Sequence, residues 1–424
     1  MVEVADMTDP ASLVTGVEAL GEKLALARRA IGRLIFGQEE VVDQTLITLL
    51  SGGHVLLVGV PGLGKTKLVE TLGAVMGLDA RRVQFTPDLM PADILGSEVL
   101  EEGADGRRAF RFIKGPVFCQ LLMADEINRA SPRTQSALLQ SMQEHRVAVG
   151  GEIHPLPAPF HVLATQNPIE QEGTYPLPEA QLDRFLLEVQ VGYPDEAAER
   201  AMLLATTGAR EAKPIAAMNA HELIDAQALI RRMPVGEQVL DAILRLVRGA
   251  RPETSGLDAV KKHLAWGPGP RAAQALMLAT RARAVLDGRL SPSIEDVAAL
   301  AEPILRHRQR ARARKYRDAL RQPFRAFSRY IFKIESSDID TAGKLSQRRL
   351  VAVIRVQKRD ILRGASIGDR VHHQTTQAQR GTGQSQHPRQ LAAAKNANGV
   401  GHGCRGSGEA NTASVCCCRN AANA

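Results

Sequence analysis

Cysteine is almost missing from the first 403 residues of this 424-residue chain: Cys119 stands alone there, while Cys404, Cys416, Cys417 and Cys418 crowd the end. A body with one thiol carries no disulfide framework, which fits a reducing cytosol. Long apolar runs are missing too, since none approaches the roughly 18 residues that a spanning helix needs. The N-terminus offers Glu3, Asp6 and Asp9 instead of a positive region followed by an apolar stretch, so no secretory leader is read there. Aromatic residues make up only 4% of the chain, and Trp occurs once. Apolar residues nevertheless reach 44%, which excludes disorder throughout and supports a sizeable core in two or more folded units. The expectation is a soluble, cytoplasmic protein.

The charge is unevenly spread. The chain holds 54 Lys+Arg against 46 Asp+Glu, a net of +8. Gln309–Ala424 alone contains 22 basic and 7 acidic residues, a net of +15, which leaves −7 for everything before it. A net +8 by itself raises nucleic acid or an anionic membrane surface as a partner. The acidic body argues against nucleic acid, because phosphate tracking needs Lys and Arg clustered on the folded part.

Residues from about 12 to 50 have helical spacing, with Leu13, Val17, Leu20, Leu24, Ala27 and Ile31 on one face and a second run from Val41 to Leu50. Short apolar runs bounded by turn residues follow at His54–Val58, Val83–Phe85, Leu121–Ala124 and Phe160–Thr165. Such runs read as buried strands of a parallel sheet, with Lys65–Met76 and Pro132–Glu144 as helical crossovers. From about Pro194 helical period takes over, near Glu196–Thr207, Gly236–Ala250, Pro270–Leu286 and Ser293–His307, and Ser293 with Asp296 forms a capping-box pattern. The fold class expected is α/β with a parallel sheet, followed by a small all-α unit. The boundaries fall at 1–193, 194–308 and a basic, low-complexity tail at 309–424 in which no packed core is expected.

Gly59-Val60-Pro61-Gly62-Leu63-Gly64-Lys65-Thr66 matches the spacing G-x-x-x-x-G-K-[ST] between a strand and a helix. Glycines there let backbone N–H groups turn around a phosphate, the helix N-terminus adds positive potential, Lys65 reaches the β- and γ-phosphates and Thr66 ligates Mg²⁺. The plain alternative is a Gly-rich turn with an incidental Lys. The phosphate-binding set is Gly59, Pro61, Gly62, Leu63, Gly64, Lys65, Thr66 and Lys67, joined by Asp125. Leu121–Glu126 is an apolar strand ending in two carboxylates, of which Asp125 is expected beside Thr66 in the metal shell and Glu126 at the attacking water. Leu163–Pro168 is another such strand; Asn167 either contacts the water or the γ-phosphate, or opens an ordinary Asn-Pro turn.

With their surroundings these residues resemble the AAA+ ATPases and, more narrowly, the MoxR family. The resemblance rests on Phe36-Gly37-Gln38, Gln84–Pro91, Gly115-Pro116-Val117-Phe118, Ala124–Ala130, Gln135–Leu139, Met142-Gln143-Glu144, Ala164–Pro168, Glu172–Ala180 and Leu182-Asp183-Arg184-Phe185, in order, over about residues 15 to 308. It implies an AAA+ P-loop core with an α-helical lid, ATP and Mg²⁺ as cofactors, and Lys65, Thr66, Asp125 and Glu126 as the Walker residues. It further implies Asn167 as sensor 1, Arg184 as an arginine finger offered to a neighbouring subunit, and Arg271 as sensor 2 acting in cis. Arg184 has a second reading, a surface helix cap pairing with Asp183. Gly267-Pro268-Gly269-Pro270 before Arg271 departs from the Ser-Pro-Arg type of turn expected in the family.

The resemblance also implies a homo-oligomeric ring, a hexamer, that remodels or matures protein clients, with a von Willebrand factor A domain protein as a partner. Rival readings are a chelatase-like metal-insertion motor, a nucleic-acid-associated AAA+ ATPase and a non-hydrolysing adaptor, against which Glu126 argues. Val147–Pro157, turning at Gly150-Gly151, reads as a two-residue hairpin that in the family faces the ring pore with the Glu170–Pro176 loop; its alternative is a plain surface hairpin. After about residue 308 the resemblance ends, and a shifted reading frame or an unrelated extension is expected, with a basic interaction tail as the alternative. His402, Cys404 and Cys416-Cys417-Cys418 lack the spacing of a tetrahedral zinc site, so no metal is assigned there.

Overall fold

The computed structural model describes residues 10–102, 108–169, 173–208 and 213–311. Readings made on residues 170–172, and on the tail and its cysteines after residue 311, lie outside them.

Helices α1 (Pro10–Gly32) and α2 (Glu39–Leu50) precede β1 (Val55–Val58) and α3 (Lys65–Val75). Then come β2 (Ala80–Gln84), α4 (Pro91–Leu95), a hairpin of β3 (Gly96–Glu102) and β4 (Arg108–Lys114), β5 (Leu121–Asp125) and α5 (Pro132–Glu144). A second hairpin, β6 (Arg146–Val149) and β7 (Glu152–Pro155), leads to β8 (His161–Gln166), α6 (Glu179–Leu182) and β9 (Leu187–Gln190). The remainder is α7 (Glu196–Thr206), α8 (Ala220–Arg232), α9 (Glu237–Gly249), α10 (Asp258–His263), β10 (Leu264–Trp266), α11 (Pro270–Leu286), α12 (Ile294–Leu305) and β11 (Arg310–Ala311).

β2, β5, β8, β1 and β9 form one sheet in that order, and every pairing in it is parallel. The inner strands are continuous apolar runs because helices cover both of their faces: Leu121 and Met123 join one core, Leu122 and Ala124 the other. The edges read differently. β2 begins at Ala80, earlier than the Val83–Phe85 run, because an edge strand tolerates the exposed Arg81 and Arg82. β9 alternates buried Leu187 and Val189 with Glu188 and Gln190, a half-buried pattern too short to stand out in sequence.

The first core runs without a break from α1, α2 and α3 into α8, α9, α11 and α12. Buried Ala272, Ala275, Ala279 and Ala282 give α11 a thin side-chain layer, which lets α2, α8, α9 and α12 pack closely around it. The expected all-α unit is corrected in one respect. β10 and β11 pair antiparallel, with Trp266 opposite Arg310, so a short ladder sits among the helices. Within this unit two helices, α8 and α10, were not expected. The capping box at Ser293 and Asp296 forms as read, with Ser293 N–H donating to Asp296 Oδ2 at 2.7 Å.

The Gly150-Gly151 hairpin forms with φ of 61° and 87° at the two glycines, the left-handed values that a two-residue turn between twisted strands requires. The β3–β4 hairpin has no counterpart in the sequence reading, because its Val99, Leu100, Phe110 and Ile113 are exposed and follow no in-out alternation. The two hairpins touch, and Phe112 stacks on His154 at 4.1 Å between ring centroids. Among the described residues no helix is long and apolar enough to cross a membrane.

Candidate functional site

β1 ends directly in the loop Gly59–Gly64, whose glycines have separate physical reasons. A Cβ on Gly59 would lie 2.6 Å from the Val191 carbonyl oxygen, so packing against the chain after β9 excludes a side chain there. Gly62 and Gly64 have φ of 84° and 72°, where other residues are strained. Gly64 is also the N-cap of α3 and supplies no side-chain cap, which leaves the first amides of that helix directed at the loop's interior, an arrangement suited to an anion. Gln38 Nε2 donates to the Leu63 carbonyl at 3.1 Å and pins the loop from outside. Leu63 is buried, Thr66 is half-buried, and Pro61 and Lys67 are exposed.

Lys65 Nζ donates to the carbonyls of Gly59 at 2.6 Å and Val60 at 2.9 Å. Burial lowers its pKa from the ordinary lysine value, and the carboxylates of Asp125 and Glu126 act in the opposite sense. Lysine and both acids therefore share one electrostatic site.

Asp125 closes β5 and is buried. Its Oδ1 accepts the Thr165 hydroxyl at 2.5 Å, and its Oδ2 accepts Arg82 Nη2 at 2.6 Å and Nε at 3.2 Å. The same Thr165 hydroxyl accepts the Glu126 N–H at 2.8 Å, so one side chain of β8 fixes both acids. Glu126 has φ 55°, a left-handed conformation rare outside glycine that turns its side chain off the strand direction. Its Oε2 accepts Gln84 Nε2 and Arg129 Nη1, each at 2.9 Å. Thr66 and Asp125 supply the hard oxygen donors that Mg²⁺ takes beside phosphate oxygens and water, so the residues present fit the metal-nucleotide pair.

Asn167 is buried one residue past Gln166, which pairs with Val58 at the start of the phosphate loop. Its Oδ1 accepts the Ile169 N–H at 3.1 Å, so it does open a turn while lying beside the loop. Arg184 points elsewhere. Its Nη1 donates to the Leu139 carbonyl on α5. The alternative reading of Arg184 as a cap pairing with Asp183 is corrected here, because Asp183 pairs with Arg308 at 2.8 Å and Arg271 at 3.7 Å. Lys65, Asp125, Glu126 and Asn167 thus gather at the ends of β1, β5 and β8, while Arg184 and Arg271 are held on other partners.

The family described as "ATPase family associated with various cellular activities (AAA)" matches residues 54–187, and the AAA lid domain matches residues 257–323. Chaperone MoxR1 of Mycobacterium tuberculosis is 43% identical over 297 residues, covering 69% of this chain and 78% of that protein. Protein MoxR of Paracoccus denitrificans is 31% identical over 300 residues, covering 66% and 87%. The chain belongs to the MoxR family of AAA+ ATPases. A crystal structure from Cytophaga hutchinsonii, of a protein assigned as an ATPase, superposes with a TM-score of 0.68 at 35% identity, covering 74% of this chain and 96% of that one. The lid match continues past residue 308, and β11 lies in the added stretch.

In this MoxR-family chain the sequence reading left out several residues that shape the site. Arg82, Gln84 and Arg129 hold the two carboxylates, and Thr165 orients them. A period-two count on β2 was the available signal for Arg82 and Gln84, since both lie one residue either side of buried Val83 and so share the face opposite it. Nothing local marks Arg308, four of whose five acceptors lie more than 120 residues away in sequence.

Proposed function

We propose that this chain binds MgATP at the Gly59–Thr66 loop and hydrolyses it, and that subunits of a ring use the cycle to remodel protein clients in the cytoplasm. The observation that carries the reading is the meeting of Lys65, which follows β1, with Asp125 and Glu126 at the end of β5, the two strands that flank β8 in the parallel sheet. A Mg²⁺ ion held by Thr66 and Asp125 supplies charge neutralisation at the phosphate oxygens.

The chain's own residues do the rest. The amides of Gly62–Thr66 bind phosphate oxygens, and Lys65 Nζ leaves the Gly59 and Val60 carbonyls to meet them. Glu126 Oε2, once released by Gln84 and Arg129, orients the attacking water and takes up its proton. With Asn167 Oδ1 engaged by Ile169, its Nδ2 is the group that donates toward the γ-phosphate. Arg184 serves the site of a neighbouring subunit, which makes hydrolysis wait on assembly. Arg271 opens α11 in the lid and serves its own subunit's site. Residues 1–193 act as the nucleotide-binding unit and 194–308, with the adjoining β11, as the lid.

Protein clients are supported by the apolar side chains exposed on the two touching hairpins, Leu100 and Phe110 on one and Ile153 on the other. The same reading extends to assembly with a von Willebrand factor A domain partner, supported by the resemblance to the MoxR family alone. The test compares wild type with Glu126→Gln: ATP binding measured by calorimetry should persist while phosphate release falls to background. Equal turnover in the two proteins sinks the assignment of Glu126.

A further inference from the structure

Arg308 is 2% exposed, and a guanidinium so buried needs every one of its five N–H groups satisfied. All five are. Nε donates to Asp183 Oδ1 at 2.8 Å, Nη1 to the carbonyls of Leu186 at 3.0 Å and Ile304 at 2.5 Å, and Nη2 to those of Phe185 at 2.6 Å and Asp183 at 3.4 Å. Four of the five acceptors belong to residues 183, 185 and 186, the chain on either side of Arg184. His307 adds a bond from Nε2 to the same Phe185 carbonyl at 3.0 Å.

The other oxygen of Asp183 faces Arg271 Nη1 at 3.7 Å, so one carboxylate is divided between the end of the lid and the start of α11. Just past Arg308, Arg310 pairs in the β-ladder with Trp266, which lies shortly before Arg271, and its Nη1 meets Glu179 on α6 at 3.1 Å. Residues 306–311 therefore form a strap. It grips the Arg184 segment on one side and the approach to Arg271 on the other.

We propose that Arg308 is a positioning residue that ties the lid arginine Arg271 to the arginine Arg184 offered to the next subunit, through the shared carboxylate of Asp183. When Arg271 turns to the nucleotide of its own subunit, Asp183 is left to Arg308 alone, and the backbone around Arg184 follows that change. The inference rests on the reading of Arg184 as a group acting in trans and Arg271 as one acting in cis.

The test uses the full-length protein, with Arg308→Lys, which keeps the charge but not the five-donor fork, and Asp183→Asn, which keeps the shape and one acceptor. Thermal unfolding checks that each variant folds. In any folded variant, ATP affinity is expected within about threefold of wild type while kcat falls about 100-fold, the cost of a misplaced catalytic group. Trp266 is the only tryptophan in the chain, and its emission should respond to ATP in wild type and lose that response in the variants.

Mixing each variant with Glu126→Gln subunits, which bind ATP without hydrolysing it and keep an intact Arg184, should restore turnover. Wild-type kcat and Trp266 response in Arg308→Lys overturns the proposal, as does a parallel loss of ATP affinity and kcat that mixing does not repair. Arg184→Ala mixed with Glu126→Gln is the control. Recovery in the control without recovery in the strap variants rejects the strap alone; recovery in neither rejects the trans reading and the proposal with it.

Discussion

Gln84 Nε2 donates to Glu126 Oε2 at 2.9 Å, from the last residue of an edge strand to the residue that follows the neighbouring strand. Arg129 holds the same oxygen at 2.9 Å, so the carboxylate that should meet water is occupied twice. Gln84→Ala removes one of these partners. Basal ATP turnover is expected to rise roughly five-fold, the equivalent of about 1 kcal/mol, the net scale of a typical single hydrogen bond. Steady-state phosphate release without a client measures it, and an unchanged or lower rate would show that Gln84 does not restrain Glu126.

Lys65 is the cation in contact with the phosphate loop. Lys65→Ala should weaken ATP binding roughly 100-fold, the scale of about 3 kcal/mol for a lost charge-assisted hydrogen bond. Fluorescent-nucleotide titration reads this directly, and affinity within a few-fold of wild type removes the loop from the nucleotide site.

Gly59 has no positive φ, yet alanine is excluded there because its Cβ would lie 2.6 Å from the Val191 carbonyl. Gly59→Ala should cost about 1–3 kcal/mol of stability as overpacking and displace the loop. Urea unfolding gives the first quantity and nucleotide affinity the second. A variant as stable as wild type contradicts the packing argument.

His54, just before β1, and His161, the first residue of β8, are buried and neutral. His54 Nε2 donates to the Met142 carbonyl at 3.2 Å, and its Nδ1 accepts the Val162 N–H at 3.0 Å. His161 Nδ1 donates to the Gly53 carbonyl at 2.8 Å, and its Nε2 accepts Gln227 of α8 at 3.1 Å. Burial, before any neighbouring charge, lowers their pKa values to about 3 and about 4. The unfolded chain takes up these protons near pH 6.5 and the folded one does not, so stability falls as pH drops below about 6.5 and is flat above it. Each histidine contributes a slope of up to about 1.4 kcal/mol per pH unit. Urea midpoints between pH 8 and pH 5 should show the loss, and His161→Asn should reduce its slope by one proton's worth. Pairs of curves with the same slope would place the proton uptake elsewhere.

The strands that carry the chemistry were legible because both faces of β1, β5 and β8 are buried, which makes their sequences continuous apolar runs that end at Gly59, Asp125 and Asn167. Lys65 was legible from the glycine spacing of the loop after β1, and Glu126 as the second carboxylate at the end of the Leu121–Asp125 run. Arg82 and Gln84 were not, because edge strand β2 is largely exposed and its residues resemble those of a loop. The β3–β4 hairpin escaped notice since nearly all its side chains, Phe112 apart, are exposed, and α8 followed a stretch without strand or helix punctuation.

By itself the sequence determined the identity and order of the groups at the phosphate site, since glycine spacing, a following lysine and a buried strand tip are local properties of a few residues each. It also determined the two-residue turn at Gly150-Gly151 and the capping box at Ser293. Tertiary structure alone decided which partners hold those groups: Thr165 under both acids, Arg82 on Asp125, and Arg308 threaded beneath Asp183 from the far end of the lid. Such pairings depend on where distant segments meet in space. A buried guanidinium is stable only where five acceptors converge, and convergence of residues 183, 185, 186 and 304 on Arg308 is a property of the packed core and of no single stretch of chain.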